Sequence, residues 1–113
     1  MFNSIYVKEN KAAYIDRSVL DKSDILISYS YDKESIQFVI KKRYDGRYIV
    51  LYYKDNKVFS LGVLKESSYF ITKNGDNISI SKEYMQGSII MISIEKSKIS
   101  IKKGRGSLVI NYY

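Results

Sequence analysis

The sequence predicts an all-β domain, a small closed barrel of short strands and hairpins with at most two helical turns. Three observations carry this expectation. Apolar and polar residues alternate with period two along several stretches, as in Ile25, Ile27, Tyr29 and Tyr31 against Leu26, Ser28 and Ser30. Period two is the mark of a strand with one buried face. Turn-forming pairs, Asp45-Gly46, Asp55-Asn56 and Asn74-Gly75, separate such stretches at hairpin spacing. Residues 5–42 also follow the same order of elements as residues 70–103, which reads as a weak internal duplication.

Taken in order, residues 5–7 and 12–15 are expected strands around the polar turn 8–11. Asp16 then opens one helical turn reaching Ser23, accepting from its free N–H groups, with Val19 and Leu20 on the buried side. The alternating strand 25–31 follows. After a polar loop, residues 36–43 set Ile36, Phe38 and Ile40 on one face and Gln37, Val39 and Lys41 on the other. Asp45-Gly46 is expected to form a tight type I′ turn. It leads into strands 48–53 and 58–63, joined across 54–57. Residues 64–68 contain no Pro and no Gly/Ser run, so nothing marks a domain boundary there. Residues 70–103 hold a strand, the Asn-Gly turn, an alternating strand, a helix-like turn closed by Gly87, and two alternating strands joined at 95–98. Gly104-Arg105-Gly106 turns the chain into a last strand, 108–112.

The duplication aligns Lys8 with Lys73, Ala13 and Ile15 with Ile78 and Ile80, and Val19-Leu20 with Tyr84-Met85. The expected organisation is thus a single domain over 1–113. It holds a first hairpin repeat at 5–42, an inserted hairpin and link at 43–69, a second repeat at 70–103, and a C-terminal strand at 104–113.

Composition narrows the chemistry. With 113 residues the chain can bury a modest core without staples. It has no cysteine and no histidine, which excludes disulfides, thiolate nucleophiles and the commonest general base and metal ligand. Asp16, Asp21 and Asp24 read as a cap, a turn and a solvated face, and Gly104-Arg105-Gly106 lacks the lysine and hydroxyl of a phosphate loop. No enzyme, cofactor or metal site is expected. The opening MFNSIYVKEN lacks a signal-peptide pattern and no apolar run is long enough to span a membrane, so the expectation is a cytoplasmic protein without a membrane partner. Nineteen Lys and Arg against twelve Asp and Glu give a formal charge of +7, which favours polyanions. Heavy use of Ile, Lys, Tyr and Ser fits an AT-rich, heat-adapted or viral source.

Within the second repeat stand Lys73-Asn74-Gly75, the alternating Ile78-Ser79-Ile80, Ser81-Lys82-Glu83-Tyr84, the Gly87-Ser88 step and a closing hairpin over 90–102. This order resembles the AbrB/MazE/SpoVT family of swapped-hairpin DNA-binding domains, and more distantly other cradle-loop barrels. The sequence departs from the family where Ser81 and Asp16 replace a proline and where the segment before Gly87 is too short for a full helix. The resemblance implies a barrel of two interleaved hairpin units with DNA facing basic residues near each first hairpin. Carried over position by position, these are Lys8, Lys11 and Arg17 in the first copy and Lys73, Asn74 and Lys82 in the second. Lysine and arginine would neutralise phosphates, and asparagine can read an adenine edge. Asn74-Gly75 is equally a plain hairpin turn.

Lys102, Lys103 and Arg105, with Lys96 and Lys98, lie in a ten-residue stretch without an acid. They read as a phosphate-tracking strip or as a solvated edge. Lys41, Lys42, Arg43 and Arg47 form a second basic cluster. Tyr48 and Tyr52 share one strand face and Tyr53 takes the other, so the inserted hairpin is a candidate dimer contact or partner-binding surface. The leading expectation is a duplex-DNA-binding transcription regulator. The alternatives are a protein-interaction module, such as a viral or mobile-element inhibitor with an acidic protein partner, and a sequence-indifferent single-strand binder. A homodimer is compatible with each.

Overall fold

The computed structural model describes residues 3–113. Among them are eleven strands and one turn of 3₁₀ helix, Arg17–Asp21. The strands are β1 (Asn3–Tyr6), β2 (Ala13–Asp16), β3 (Ile25–Tyr31), β4 (Glu34–Lys42), β5 (Tyr48–Lys54), β6 (Lys57–Leu64), β7 (Ser68–Asn74), β8 (Asn77–Ser81), β9 (Ser88–Ile94), β10 (Lys98–Lys103) and β11 (Ser107–Tyr112). They form two antiparallel sheets, one ordered β1-β11-β3-β4-β5-β6 and the other β2-β10-β9-β7-β8.

Period-two patterning decides which face of each sheet is buried. The first sheet buries Ile25, Ile27 and Tyr29 of β3, Ile36, Phe38 and Ile40 of β4, Tyr48 and Val50 of β5, and Leu108 and Ile110 of β11. The second buries Ala13 and Ile15 of β2, Ile71 of β7, Ile90, Ile92 and Ile94 of β9, and Ile99 and Ile101 of β10. All belong to one core cluster, so the two inner faces pack on each other. Leu20 of the 3₁₀ turn is buried in the same core, and Asp16 caps that turn by accepting from the Ser18 amide at 2.9 Å, as its sequence position implies. Among the described residues no ladder joins the sheets. Where β6 nears β8, a Cβ on Gly62 would lie 3.1 Å from Ile80 Cγ2.

The turns follow local chemistry. Asp55-Asn56 and Asp32-Lys33 have positive φ at both positions, as a type I′ turn demands. The expected type I′ turn at Asp45-Gly46 is instead a three-residue loop in which only Gly46 has positive φ. Gly46 N donates to Arg43 O, Arg43 N donates to Arg47 O, and Asp45 Oδ1 accepts from Arg47 N, giving a type I turn followed by a glycine bulge. Asp45 keeps an ordinary backbone because its carboxylate is used inside the loop.

The segments read as repeats have different ladders. In 70–103, β7 pairs with β8. In 5–42, β1 pairs with β11 and β2 with β10, in different sheets. The place beside β9 taken by β7 has its counterpart beside β3 in β11, the last strand of the chain.

Phe38 has no exposed surface and its ring centroid lies 6.2 Å from that of Tyr52. Phe38→Ala is expected to lower unfolding free energy by about 3–5 kcal/mol. Urea unfolding followed by circular dichroism measures this, and a loss under about 1 kcal/mol would contradict the packing described.

Candidate nucleic-acid interface

Strand register assigns every loop to one of two ends. At one end lie the β3–β4 turn, the β5–β6 turn, the β7–β8 turn, the segment entering Ser88, and the β10–β11 turn. The β1–β2 loop joins them, because Val7 N donates to Leu108 O and Ala13 stands opposite Ile101. The other end carries the 3₁₀ turn, the β4–β5 loop and residues 65–67 and 95–97.

This sorting gathers most of the sequence-assigned basic residues. Lys8, Lys11, Lys73, Asn74, Lys102, Lys103 and Arg105 come from three separated stretches and meet at the first end. Lys82 is exposed on the segment leading there from β8. Between the turns of that end is a cleft of about 660 Å3, lined by Tyr29, Tyr31 and Glu34 of the β3–β4 hairpin, Lys73 and Asn74 of β7, Tyr84 and Gln86 of the crossing segment, and Arg105.

Each wall of the cleft is held by specific bonds. Burial raises the Tyr29 phenol above its ordinary value, and its hydroxyl donates to Arg105 O at 3.0 Å. Lys103 Nζ donates to Gly106 O at 2.7 Å, and the Arg105 guanidinium lies 5.3 Å from the Tyr31 ring centre. On the facing wall Lys73 N donates to Gly87 O at 2.9 Å. Gly87 has φ +94, and a Cβ there would meet Asn74 Oδ1 at 2.5 Å and Lys73 O at 2.9 Å. Only glycine fits this close crossing. Phe70 meets Tyr84 edge to face with centroids 5.7 Å apart, which holds a ring that is otherwise 72% exposed.

The charges that line the cleft differ in how they are partnered. Lys73 Nζ pairs with Glu34 at 2.7 Å and also donates to Gly75 O at 2.8 Å. The hydrogen bond and charge of Lys73 hold the Glu34 carboxyl below its ordinary range. Arg105, by contrast, has no carboxylate partner among the described residues, and neither do Lys8, Lys11, Lys82, Lys102 or Lys103.

Arg17 sits at the opposite end and is held by three side-chain bonds. Its Nε donates to Tyr48 Oη at 2.8 Å and its Nη1 donates to Glu95 O at 2.9 Å and pairs with Glu66. Glu66 first, and then Tyr48, raise its guanidinium above an already high ordinary value. These contacts make Arg17 a tie between the 3₁₀ turn, β5 and two loops. Among the partner-binding candidates, Tyr48 is 3% exposed, because the face it shares with Tyr52 is the core face. Tyr52 is half-buried and stacks on Phe59 with centroids 4.8 Å apart. Tyr53 is exposed on the outer face.

Four cleft residues, Tyr31, Glu34, Tyr84 and Gln86, were not singled out as site residues by the sequence pattern. Each lies next to a turn, and that was their one signal. No helix among the described residues is long and apolar enough to cross a membrane. Comparison with family models, curated proteins and solved structures finds no match to this chain.

Two measurements check this geometry. Gly87→Ala is expected to cost roughly 1–3 kcal/mol from its left-handed backbone alone, with the clash added. Gly46→Ala, which has φ +82 but open space around the new Cβ, should cost less in the same urea assay. The Glu34–Lys73 pair has a pH signature of known sign. A carboxyl lowered by folding adds stability above its unfolded value, and that increment disappears as pH falls through its folded value. The wild type should therefore exceed Glu34→Gln in urea midpoint near neutrality and match it well below the carboxylate range.

Proposed function

We propose that the protein binds nucleic acid, with duplex DNA held by its phosphates on the basic end, in the manner of a small transcription regulator. The observation that carries this reading is the convergence of Lys8, Lys11, Lys102, Lys103 and Arg105, none with a carboxylate partner among the described residues, from distant parts of the chain onto one end. Lysines on turns present compact charges to a phosphate backbone, and the counterions displaced from DNA supply the affinity. Arg17 is left out of this reading, since it lies at the opposite end, tied to Tyr48, Glu95 and Glu66. Lys73 contributes through the cleft rather than as a free charge, and Asn74 beside it is the base-reading candidate. The finer architecture that the family resemblance implies, a closed barrel, draws support from the approach of Gly62 to Ile80 at the β6 and β8 edges.

A second reading, a protein-interaction module that also dimerises or grips an acidic partner, is favoured by the outer face of the first sheet. Leu26, Val39 and Leu51 stand in one cross-strand row there, and Val39 is 7% exposed although it lies outside the core cluster. The row continues toward the edge strand β6, where Val58 and Val63 are exposed. Tyr53 stands opposite Val58 on the same surface.

Binding of random-sequence duplex across a salt series separates the two. Five phosphate contacts correspond to a slope of about −4.5 in log K against log salt, from roughly −0.9 per contact. The double variant Lys102→Glu and Lys103→Glu should flatten that slope by about two contacts' worth, near 1.8. Tyr53→Ala should leave it unchanged. Absence of duplex binding at low salt would remove the duplex-DNA reading.

A further inference from the structure

The cleft at the basic end has a charge pattern that a run of phosphates does not satisfy. Its lining holds an exposed carboxylate, Glu34, already paired with Lys73, so an anion beside that pair would meet a negative group and a lysine whose charge is spent. Its lining also holds Arg105, with no carboxylate partner among the described residues, and Lys103, two residues earlier, bonds the same turn. A ligand suited to this arrangement carries its charge at Arg105 and sets a neutral, polar, flat group beside the Glu34–Lys73 pair.

The remaining lining groups have the chemistry of base recognition. Tyr84 offers an exposed ring braced by Phe70, and Tyr31 stands on the facing wall under the Arg105 guanidinium. Aromatic faces of this kind stack on any nucleobase. The Asn74 and Gln86 side-chain amides each present a donor and an acceptor suited to base edges. Asn74 Nδ2 reaches Gln86 O only at 3.5 Å, so most of its hydrogen-bonding capacity is unspent. The volume, about 660 Å3, falls in the range of roughly 300–1,000 Å3 typical of small-ligand sites. Both walls are preformed, because Gly87 and Gly106 occupy backbone conformations where an added Cβ would collide with its neighbours.

We propose that the cleft receives one unpaired nucleobase, stacked on Tyr84 and contacted by Asn74 and Gln86, with its adjoining phosphate at Arg105. This rests on the reading of the basic end as a nucleic-acid surface. A base inside a duplex has both faces covered by its neighbours and its edge paired, so only an unpaired nucleotide can enter. The ligand class is therefore nucleic acid with a single-stranded end or gap, in preference to blunt duplex.

The experiment compares fluorescence anisotropy of a blunt duplex with that of the same duplex bearing a three-nucleotide single-stranded overhang. Wild type, Tyr84→Ala and Tyr84→Phe are tested with both probes. Because Tyr84 is mostly exposed, neither substitution should disturb folding, and unfolding midpoints verify this. The overhang should tighten wild-type binding by about fivefold or more, the increment of one stacked base. Tyr84→Phe should keep that gain and Tyr84→Ala should lose it, with blunt-duplex affinity equal in all three. Equal affinity of the wild type for both probes overturns the cleft and leaves the basic-end reading standing. Full retention of the gain in Tyr84→Ala also overturns the cleft. Overhang binding that depends on Tyr84, with no binding to blunt duplex, upholds the cleft and removes duplex as the ligand. No binding to either probe at low salt overturns both.

Discussion

Burial of isoleucine on two inward faces is the interaction on which the rest of this molecule depends. Ile25, Ile27, Ile36, Ile40 and Ile110 on one sheet meet Ile15, Ile71, Ile92, Ile94, Ile99 and Ile101 on the other. With no cysteine to cross-link the chain, apolar burial is the main favourable term in its stability. Isoleucine suits the task because its branched Cβ restricts χ1 and fits the pleated surface. It also makes register strict: a slip by one residue would turn β3 or β9 inside out, moving its apolar set to solvent. Strict register in turn fixes where each hairpin ends. The basic end of the protein is thus a by-product of core packing, since turns from separated stretches of chain can converge only if every strand stops at the right residue.

Much of the secondary structure was legible for that same reason. The alternation in residues 25–31 and 36–43 reports local burial, and local burial is what period two encodes. The 3₁₀ turn was legible through Asp16 and Leu20, one a cap and the other a plug. The pairing of strands was much less so. A reader of the sequence sees Ala13 and Ile15 as a strand but has no local signal that their neighbour is β10, nearly ninety positions on. Likewise the face shared by Tyr48 and Tyr52 was correctly paired but its direction was not, because an aromatic strand face looks the same in sequence whether it meets the core or a partner.

The basic residues show a similar division. Lysine content announced a positive protein, but which charges are spent internally depends on contacts across the fold. Arg17 and Lys73 look like free cations in sequence and are both paired, one with Glu66 and the other with Glu34. Lys102 and Arg105 look no different and carry no such partner among the described residues. Folding therefore does more than collect charge at one end. It pairs Lys73 in the cleft with Glu34 and leaves Arg105 without a carboxylate partner among the described residues, a distinction that net charge cannot express.

The pairing of β1 with β11 sets the order in which the chain can fold. Ser4 Oγ donates to Asn111 Oδ1, 107 residues away, and β2 likewise waits for β10. During synthesis β1 and β2 therefore have no ladder partner until nearly the whole chain has emerged, while the β3–β4–β5–β6 meander and later the β7–β8 hairpin can form from neighbouring sequence. Non-local pairing of this kind slows folding, because the long loop must close before any contact rewards it. The N-terminal strands are the last to be secured, and a nascent chain stalled before Lys98 would hold its amino terminus as an unpaired, strand-forming segment with Ile5, Ala13 and Ile15 unshielded.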